Sequence, residues 1–457
     1  MATNSNTLPT FPPAGALTLP QIDEMQTAFE ADPRHRQSMN AVCVTPVGKV
    51  AQSRRATTLV DHTFSHHLPE GKATAQKSSG RCWLFAALNT LRMAAIRSMN
   101  LSDDFELSQS YTMFWDQLEK ANYFLESVLA TLDEPVGSRL FDWIVGHPTS
   151  DAGQWHMLVN VVRKYGVVPK RIMPETESSS STGQMNYQLV YQLREYACRL
   201  RQAHAAGAST DELRAMKPGM LEVIYRMVCI HLGEPPREFA WQWRDKDKQF
   251  HREGVMTPQE FYQRHVAIDL DDLICLIHCP QSAKQYNALY TIKFLGNVVG
   301  GEIIKYLNVE LEVMKRAAIE QLKDGVPVWF GCDVGKHLDR DLGVLDLDLF
   351  DYGLVYGSAP EMTKAERLDY GHSVMTHAMV FTGVDLDDEG NPRKWRVENS
   401  WGDQAGDKGF LLMTDAWFDE YDYEVVVHRQ YIPPELLPIL DAEPIALEPW
   451  DPMGALA

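Results

Sequence analysis

The stretch Gln76-Lys77-Ser78-Ser79-Gly80-Arg81-Cys82-Trp83-Leu84-Phe85-Ala86-Ala87-Leu88-Asn89-Thr90-Leu91-Arg92-Met93 decides the fold of this 457-residue chain. From Cys82 to Asn100 the sequence is dense in Ala, Leu and Met and holds neither Gly nor Pro, so a buried helix of about four or five turns is expected there. Cys82 opens that helix, where unpaired backbone amides carry the partial positive charge that favours thiolate over thiol. A nucleophilic cysteine belongs at such a place. To attack an acyl carbon it also needs a proton-exchanging partner, a group that orients the partner, and donors for the oxyanion. His377 interrupts the apolar run Val374-Met375-Thr376-His377-Ala378-Met379-Val380-Phe381, and Asn399 ends another strand-like run just before Ser400-Trp401-Gly402. Gln76, six positions before Cys82, can place a side-chain amide beside the amide of Cys82 itself.

Outward from this segment, helices are expected at 108–131 and 153–165, the second closing at Tyr165-Gly166. The low-complexity run Glu175-Thr176-Glu177-Ser178-Ser179-Ser180-Ser181-Thr182-Gly183 reads as an exposed, solvated linker. It is followed by helical spacing at 185–206 and 210–232, a short strand through Phe239, Trp241 and Trp243, and a capping box at Thr257-Pro258-Gln259-Glu260. Strands are expected at 326–333, 374–384, 393–400 and 409–413, with a hairpin turn at Asp387-Asp388-Glu389-Gly390-Asn391. Helices first and strands later imply an α+β protein. The expected organisation is an N-terminal arm and the start of a β-rich lobe (1–60), a helical lobe (61–174), a helical insertion (175–305), a β-rich lobe (306–430) and a C-terminal arm (431–457). Six prolines lie in residues 431–457. At ~3.1 Å per residue an extended arm of that length spans about 80 Å.

The blocks Gln76 to Trp83, His377-Ala378 and Asn399-Ser400-Trp401-Gly402 resemble those of the papain-type cysteine peptidases, in the same chain order. The resemblance implies a papain-like two-lobed fold. It implies that Cys82 is the nucleophile, His377 its ion-pair partner and general acid, Asn399 the group that orients the imidazole, Gln76 the oxyanion donor, and Trp401 a shield over the Asn–His hydrogen bond. His377 follows Cys82 by 295 residues, against roughly 130–150 in secreted relatives, and the helical insertion accounts for the excess. The insertion, the run Leu345 to Tyr352 and the terminal Glu448-Pro449-Trp450-Asp451-Pro452-Met453-Gly454-Ala455-Leu456-Ala457 resemble one branch, that of bleomycin hydrolase and bacterial aminopeptidase C. This implies a cytosolic aminopeptidase, a homohexamer enclosing a chamber, with the C-terminal tail lying in its own cleft. The Ala457 carboxylate would then pair with a substrate's amino group and block space beyond the first residue. Ala152-Gly153 stands where a glycine pair normally lines the cleft, and Ser79 where secreted relatives carry a disulfide-forming cysteine.

Composition sets the exclusions. With 43 Lys+Arg against 62 Asp+Glu the net charge is −19, which disfavours nucleic acid and anionic membrane as partners. No apolar run approaches the ~20 residues needed to cross a bilayer, and residues 1–19 lack the pattern of a signal peptide, so a cytoplasmic location is expected. Seven irregularly spaced cysteines are not a disulfide framework. Cys275, His278 and Cys279, at i, i+3 and i+4 of an expected helix, have no evident fourth ligand and read as core residues rather than a zinc site. No metal or organic cofactor is expected. An endopeptidase whose tail misses the cleft, or a chamber protein with an inert Cys82, remain the alternatives, and peptides are the expected substrates.

Overall fold

The computed structural model describes residues 11–69 and 71–455. The chain divides into two compact units, Met1–Leu59 with Asp348–Glu361, and Val60–Leu347 with Met362–Ala457. In the smaller unit, helices α1 (Leu19–Ala31) and α2 (Pro33–Val42) are both capped, by Thr18 and by Asp32. Neither helix buries a single residue. Leu19, Ile22, Met25 and Phe29 recur at helical spacing along α1 and are 41–76% exposed.

The larger unit is built on a twelve-stranded sheet. Its principal strands are β1 (Leu273–Ile277), β2 (Ala288–Ile292), β3 (Tyr306–Asn308), β4 (Val328–Cys332), β5 (His377–Leu386), β6 (Pro392–Glu398), β7 (Phe410–Thr414), β8 (Asp422–His428) and β9 (Ile445–Leu447). They run in the order β9-β2-β3-β1-β8-β4-β5-β6-β7. Side chains alternate between faces along each strand. Trp329, Ala378, Val380 and Val426 join one core with the helices α3 (Cys82–Met99), α4 (Gln109–Ala130), α5 (Trp155–Tyr165), α6 (Gly183–Ala205) and α7 (Thr210–Leu232). Phe330, Met379, Phe381 and Val425 join a second core with Met314, Ala317 and Leu322 of helix α8 (Leu311–Lys323). The hairpin turn expected at 387–391 joins β5 to β6, with Gly390 at φ 86°.

Three expectations fail, each for a local reason. Cys275 lies on strand β1, not on a helix: Leu-Ile-Cys-Leu-Ile is a short apolar run that fits either period, and pairing with β8 and β3 decides it. The serine run is not a solvated linker. Thr176 and Ser179 close a capping box over Glu177–Ser180, Ser181 bridges to Ser78, and Ser179 and Thr182 are buried. The arm from 431 is not one extended segment either, since Pro434–Asp441 winds into a 3-10 helix and β9 then pairs in parallel with β2. Among the described residues no helix is long and apolar enough to cross a membrane.

Candidate active site

Helix α3 begins at Cys82 without a side-chain cap, and ends where Asn100 takes the left-handed conformation at φ 50°. The amides of Cys82 and Trp83 are therefore free to face the thiol, as is the amide of Ala378, and all three stabilise its anion. Burial dominates and pushes the thiol up to about 11. Ala378 follows His377, whose strand β5 pairs with β4 so that His377 lies opposite Cys332. The His377 imidazole donates from Nε2 to Asn399 Oδ1 at 2.9 Å. Burial pushes the imidazole down to about 4, against the pull of that hydrogen bond. The same Oδ1 accepts the Ser400 amide at 2.7 Å, which fixes the amide plane. The Trp401 ring lies 5.1 Å from the imidazole, centre to centre, and covers this pair.

Gln76 is held on both sides. Ser400 Oγ donates to its Oε1 and Nε2 donates to Ser79 O, each at 2.5 Å. One N–H of the amide remains beyond that bond. The Ala378 amide on the Cys82 thiol and the run of bonds from Gln76 through Ser400 and Asn399 to His377 bring together the four residues singled out by sequence, each at least 94% buried.

Either charge alone is costly there, which is what the two shifts express. A proton passing from Sγ to the imidazole makes both charges together, and their attraction in a poorly screened site offsets much of that cost. The pair thus carries one proton between two groups, whichever holds it.

Two further ties reach across to β6, the strand that ends just before Asn399. Glu398 accepts hydrogen bonds from Asn89 at 2.8 Å and Arg92 at 2.5 Å, both on α3. Nothing in the sequence pairs residues more than 300 positions apart, so this link was not legible.

The segment read as a linker is a latch on the loop before Cys82. Arg81, fully buried, makes a bidentate ion pair with Glu175 at 3.1 and 2.6 Å. Ser78 donates its amide to Ser180 O, and Thr182 returns one to Ser78 O. Asp151 gathers the Gly80 amide at 3.1 Å, the Thr182 hydroxyl and the Asn186 amide at 2.8 Å, while its carbonyl accepts Trp83 Nε1 at 2.6 Å. The insertion therefore braces the cysteine loop rather than merely interrupting the chain. Asp151→Asn keeps the size and removes one acceptor oxygen. It is expected to cost ~1–3 kcal/mol of stability and to lower kcat roughly tenfold with KM little changed, since small displacements of a reacting group are expensive. Thermal unfolding beside steady-state kinetics checks this. Parent values for both would mean that the Arg81–Glu175 pair holds the loop alone.

Gly153 packs on Trp83: a Cβ there would lie 2.5 Å from the indole. Ala152 is half-buried, and its carbonyl is taken by Lys120 Nζ at 2.7 Å. Beyond them Gln154 Nε2 donates to Ala455 O at 2.5 Å. The tail thus runs to the wall of the site. Met453 is buried, lining a small pocket with Ile277, Cys279, Leu368, Met375 and Tyr423, Asp451 pairs with Lys284 at 2.9 Å, and Trp450 stacks on Arg139. Ala457 and the first ten residues of the expected arm lie outside the described residues.

A model of the peptidase C1-like family matches residues 16–454. The chain belongs to the peptidase C1-like family. Within this family, bleomycin hydrolase of Homo sapiens is 46% identical over 438 residues, 94% of this chain and 96% of that protein. Aminopeptidase C of Listeria monocytogenes is 44% identical over 441 residues, 96% of this chain and 99% of its own length. The crystal structure of PepW from Lactobacillus rhamnosis superposes with a TM-score of 0.95 at 44% identity, covering 97% of this chain and all of that one. The α+β, papain-like architecture expected from the cysteine, histidine and asparagine blocks is the one this family member adopts. Among the described residues no three metal-ligating side chains converge; Cys275 meets His156 at 3.6 Å while the His278 ring bonds Val309 O.

Proposed function

We propose that this chain is a cysteine aminopeptidase of broad specificity that removes N-terminal residues from peptides and related amides. What carries the reading is the convergence of Cys82, the His377–Asn399 pair and the Gln76 amide at the uncapped start of α3. Cys82 Sγ attacks the carbonyl carbon of the first peptide bond, while the oxyanion takes hydrogen bonds from the Cys82 amide and Gln76 Nε2. Imidazolium His377 then protonates the leaving amine as the C–N bond breaks. Water, deprotonated by the neutral imidazole, attacks the thioester, releases the amino acid and returns the proton to the pair. Asn399 keeps the imidazole in the productive tautomer and Trp401 keeps water from that bond. No step calls for a metal or organic cofactor.

The restriction to N-termini is assigned to the tail. Its course past Met453 to Ala455, beside Ala152, Gly153 and Gln154, supports a role for the Ala457 carboxylate as partner of the substrate's ammonium group. The relatives named aminopeptidase C fit that reading. We also propose a cytoplasmic homohexamer. The apolar stripe Leu19, Ile22, Met25 and Phe29 stays 41–76% exposed although the His35 ring stacks on Phe29, and it is the kind of face a second copy buries. Nucleic acid is not proposed as a partner.

The test compares kcat/KM for an aminoacyl fluorogenic amide with that for its N-blocked counterpart, with Cys82→Ala as control. Preference for the free amine, lost with Cys82, is expected. Preference for the blocked substrate points to an endopeptidase instead, and no Cys82-dependent turnover of either to an inert chamber protein.

A further inference from the structure

We infer that Arg340 binds an anionic group on the leaving side of the scissile bond, so that short peptides with a free C-terminal carboxylate one or two residues beyond the cut are favoured. The inference rests on the aminopeptidase reading and adds a substrate class to it.

Sheet order gives the direction. His377 stands on β5. The tail occupies the flank of β1 and β8, where Ile277, Cys279 and Tyr423 enclose Met453. Asn399 and Trp401 follow β6, on the opposite side of β5. If the tail receives the substrate's amino end, the departing amine leaves past Trp401.

Arg340 waits on that side. Its guanidinium carbon lies 4.2 Å from the centre of the Trp401 ring, which itself lies 5.1 Å from the imidazole centre. Guanidinium and imidazole are therefore at most about 9 Å apart. The nitrogen of a leaving residue and its own carboxylate carbon are ~2.5 Å apart, and each further residue adds at most ~3.6 Å. With ~2.8 Å for a charge-assisted hydrogen bond at either end, one residue bridges the gap and two do so with a bend.

The side chain is also uncommitted. Arg340 is exposed and, among the described residues, has no ion-pair or hydrogen-bond partner. Two carboxylates flank it in sequence, Asp339 and Asp341, and neither forms an ion pair with it among the described residues; Asp339 turns its Oδ1 to the amides of Asp341 and Leu342 at 3.0 and 3.1 Å. Stacking on an indole orients the guanidinium while leaving its in-plane donors free. In a chain of net charge −19, a cation placed here offsets the repulsion an anionic peptide meets on approach.

Binding is read first without turnover. Calorimetry on the Cys82→Ala protein, titrated with alanyl-alanine and with alanyl-alaninamide at low salt, should show the acid bound about fivefold more tightly, the yield of a partly exposed ion pair. Added salt should shrink the difference. Arg340→Gln in the same background should bring the two dissociation constants together, and Arg340→Lys should keep part of the preference because the charge stays while the fork is lost. With Cys82 restored, the acid-to-amide ratio of kcat/KM should follow the same order, expressed mainly in KM. Equal binding of acid and amide by the parent, or a preference that survives Arg340→Gln, overturns the assignment. Acid-preferring binding with no hydrolysis of any substrate by the Cys82-containing protein overturns the aminopeptidase reading and leaves Arg340 as an anion site.

Discussion

Removal of residues 448–457 is expected to turn the enzyme from an aminopeptidase into one that accepts blocked and internal bonds, lowering the ratio of kcat/KM for free over N-blocked substrates by at least ~100-fold. Two terms add. On the proposed role of the tail, a free ammonium group loses the Ala457 carboxylate as partner, a charged hydrogen bond worth ~1.5–3 kcal/mol. A blocked or longer substrate gains the space that Pro452 and Met453 now fill between Ile277, Leu368, Met375 and Tyr423. The tail is well anchored, so the change should be sharp rather than gradual: the Lys284–Asp451 pair, the Arg139–Trp450 stack and the Gln154–Ala455 hydrogen bond all vanish with it. Strand β9 remains paired with β2 in this truncation, which keeps the sheet edge covered. Exposing the Met453 pocket costs ~2 kcal/mol of burial, and unfolding curves should show a loss of that order. An unchanged ratio in a folded truncated protein would falsify the gate.

The readable parts of this protein are those whose meaning is local. Cys82 sits at the head of a Gly-free, Pro-free run, and its helix follows from that run alone. His377 interrupts an apolar run and Asn399 ends another strand-like run, and the strands appear within a few residues of the expected positions. The parts that were not readable depend on distant neighbours. Four consecutive serines look like a solvated tether because serine is rarely buried without partners. Here partners exist, since Glu175 accepts from Ser179 Oγ at 2.8 Å and Ser78 supplies backbone bonds to Ser180 and Thr182. A Thr176-x-x-Ser179 box was the one local sign that the run could stop being a loop. Asp151 had no signal at all. It is one aspartate in an unremarkable stretch, and only folding brings Gly80, Thr182 and Asn186 to its oxygens. Arg340 is likewise a surface arginine until Trp401 is placed beneath it.

His377→Ala should lower kcat/KM by ~10²–10⁴-fold, the range for a lost general acid–base group, and should also remove the acid limb near pH 4 from the pH profile. The working state is the one with a single proton shared by Cys82 and His377. Burial puts the imidazole down at about 4 and the thiol up at about 11. Below about 4 the ring takes a second proton while the thiol keeps its own, and no thiolate can form by internal transfer. Above about 11 both protons are gone and none is left for the leaving amine. The parent should therefore hold its kcat/KM across the neutral range and fall on acidification only near pH 4. In the alanine variant no imidazole titrates, so residual activity should rise with pH towards the thiol's own value. Asn399→Ala gives the sign control. Its Oδ1 stabilises the imidazolium by accepting the 2.9 Å hydrogen bond, so its removal lowers the imidazole further and should move the acid limb to lower pH while kcat falls. An acid limb that stays near pH 4 in His377→Ala, or one that moves upward in Asn399→Ala, would assign that proton to another group, and circular dichroism across the range would separate either result from acid unfolding.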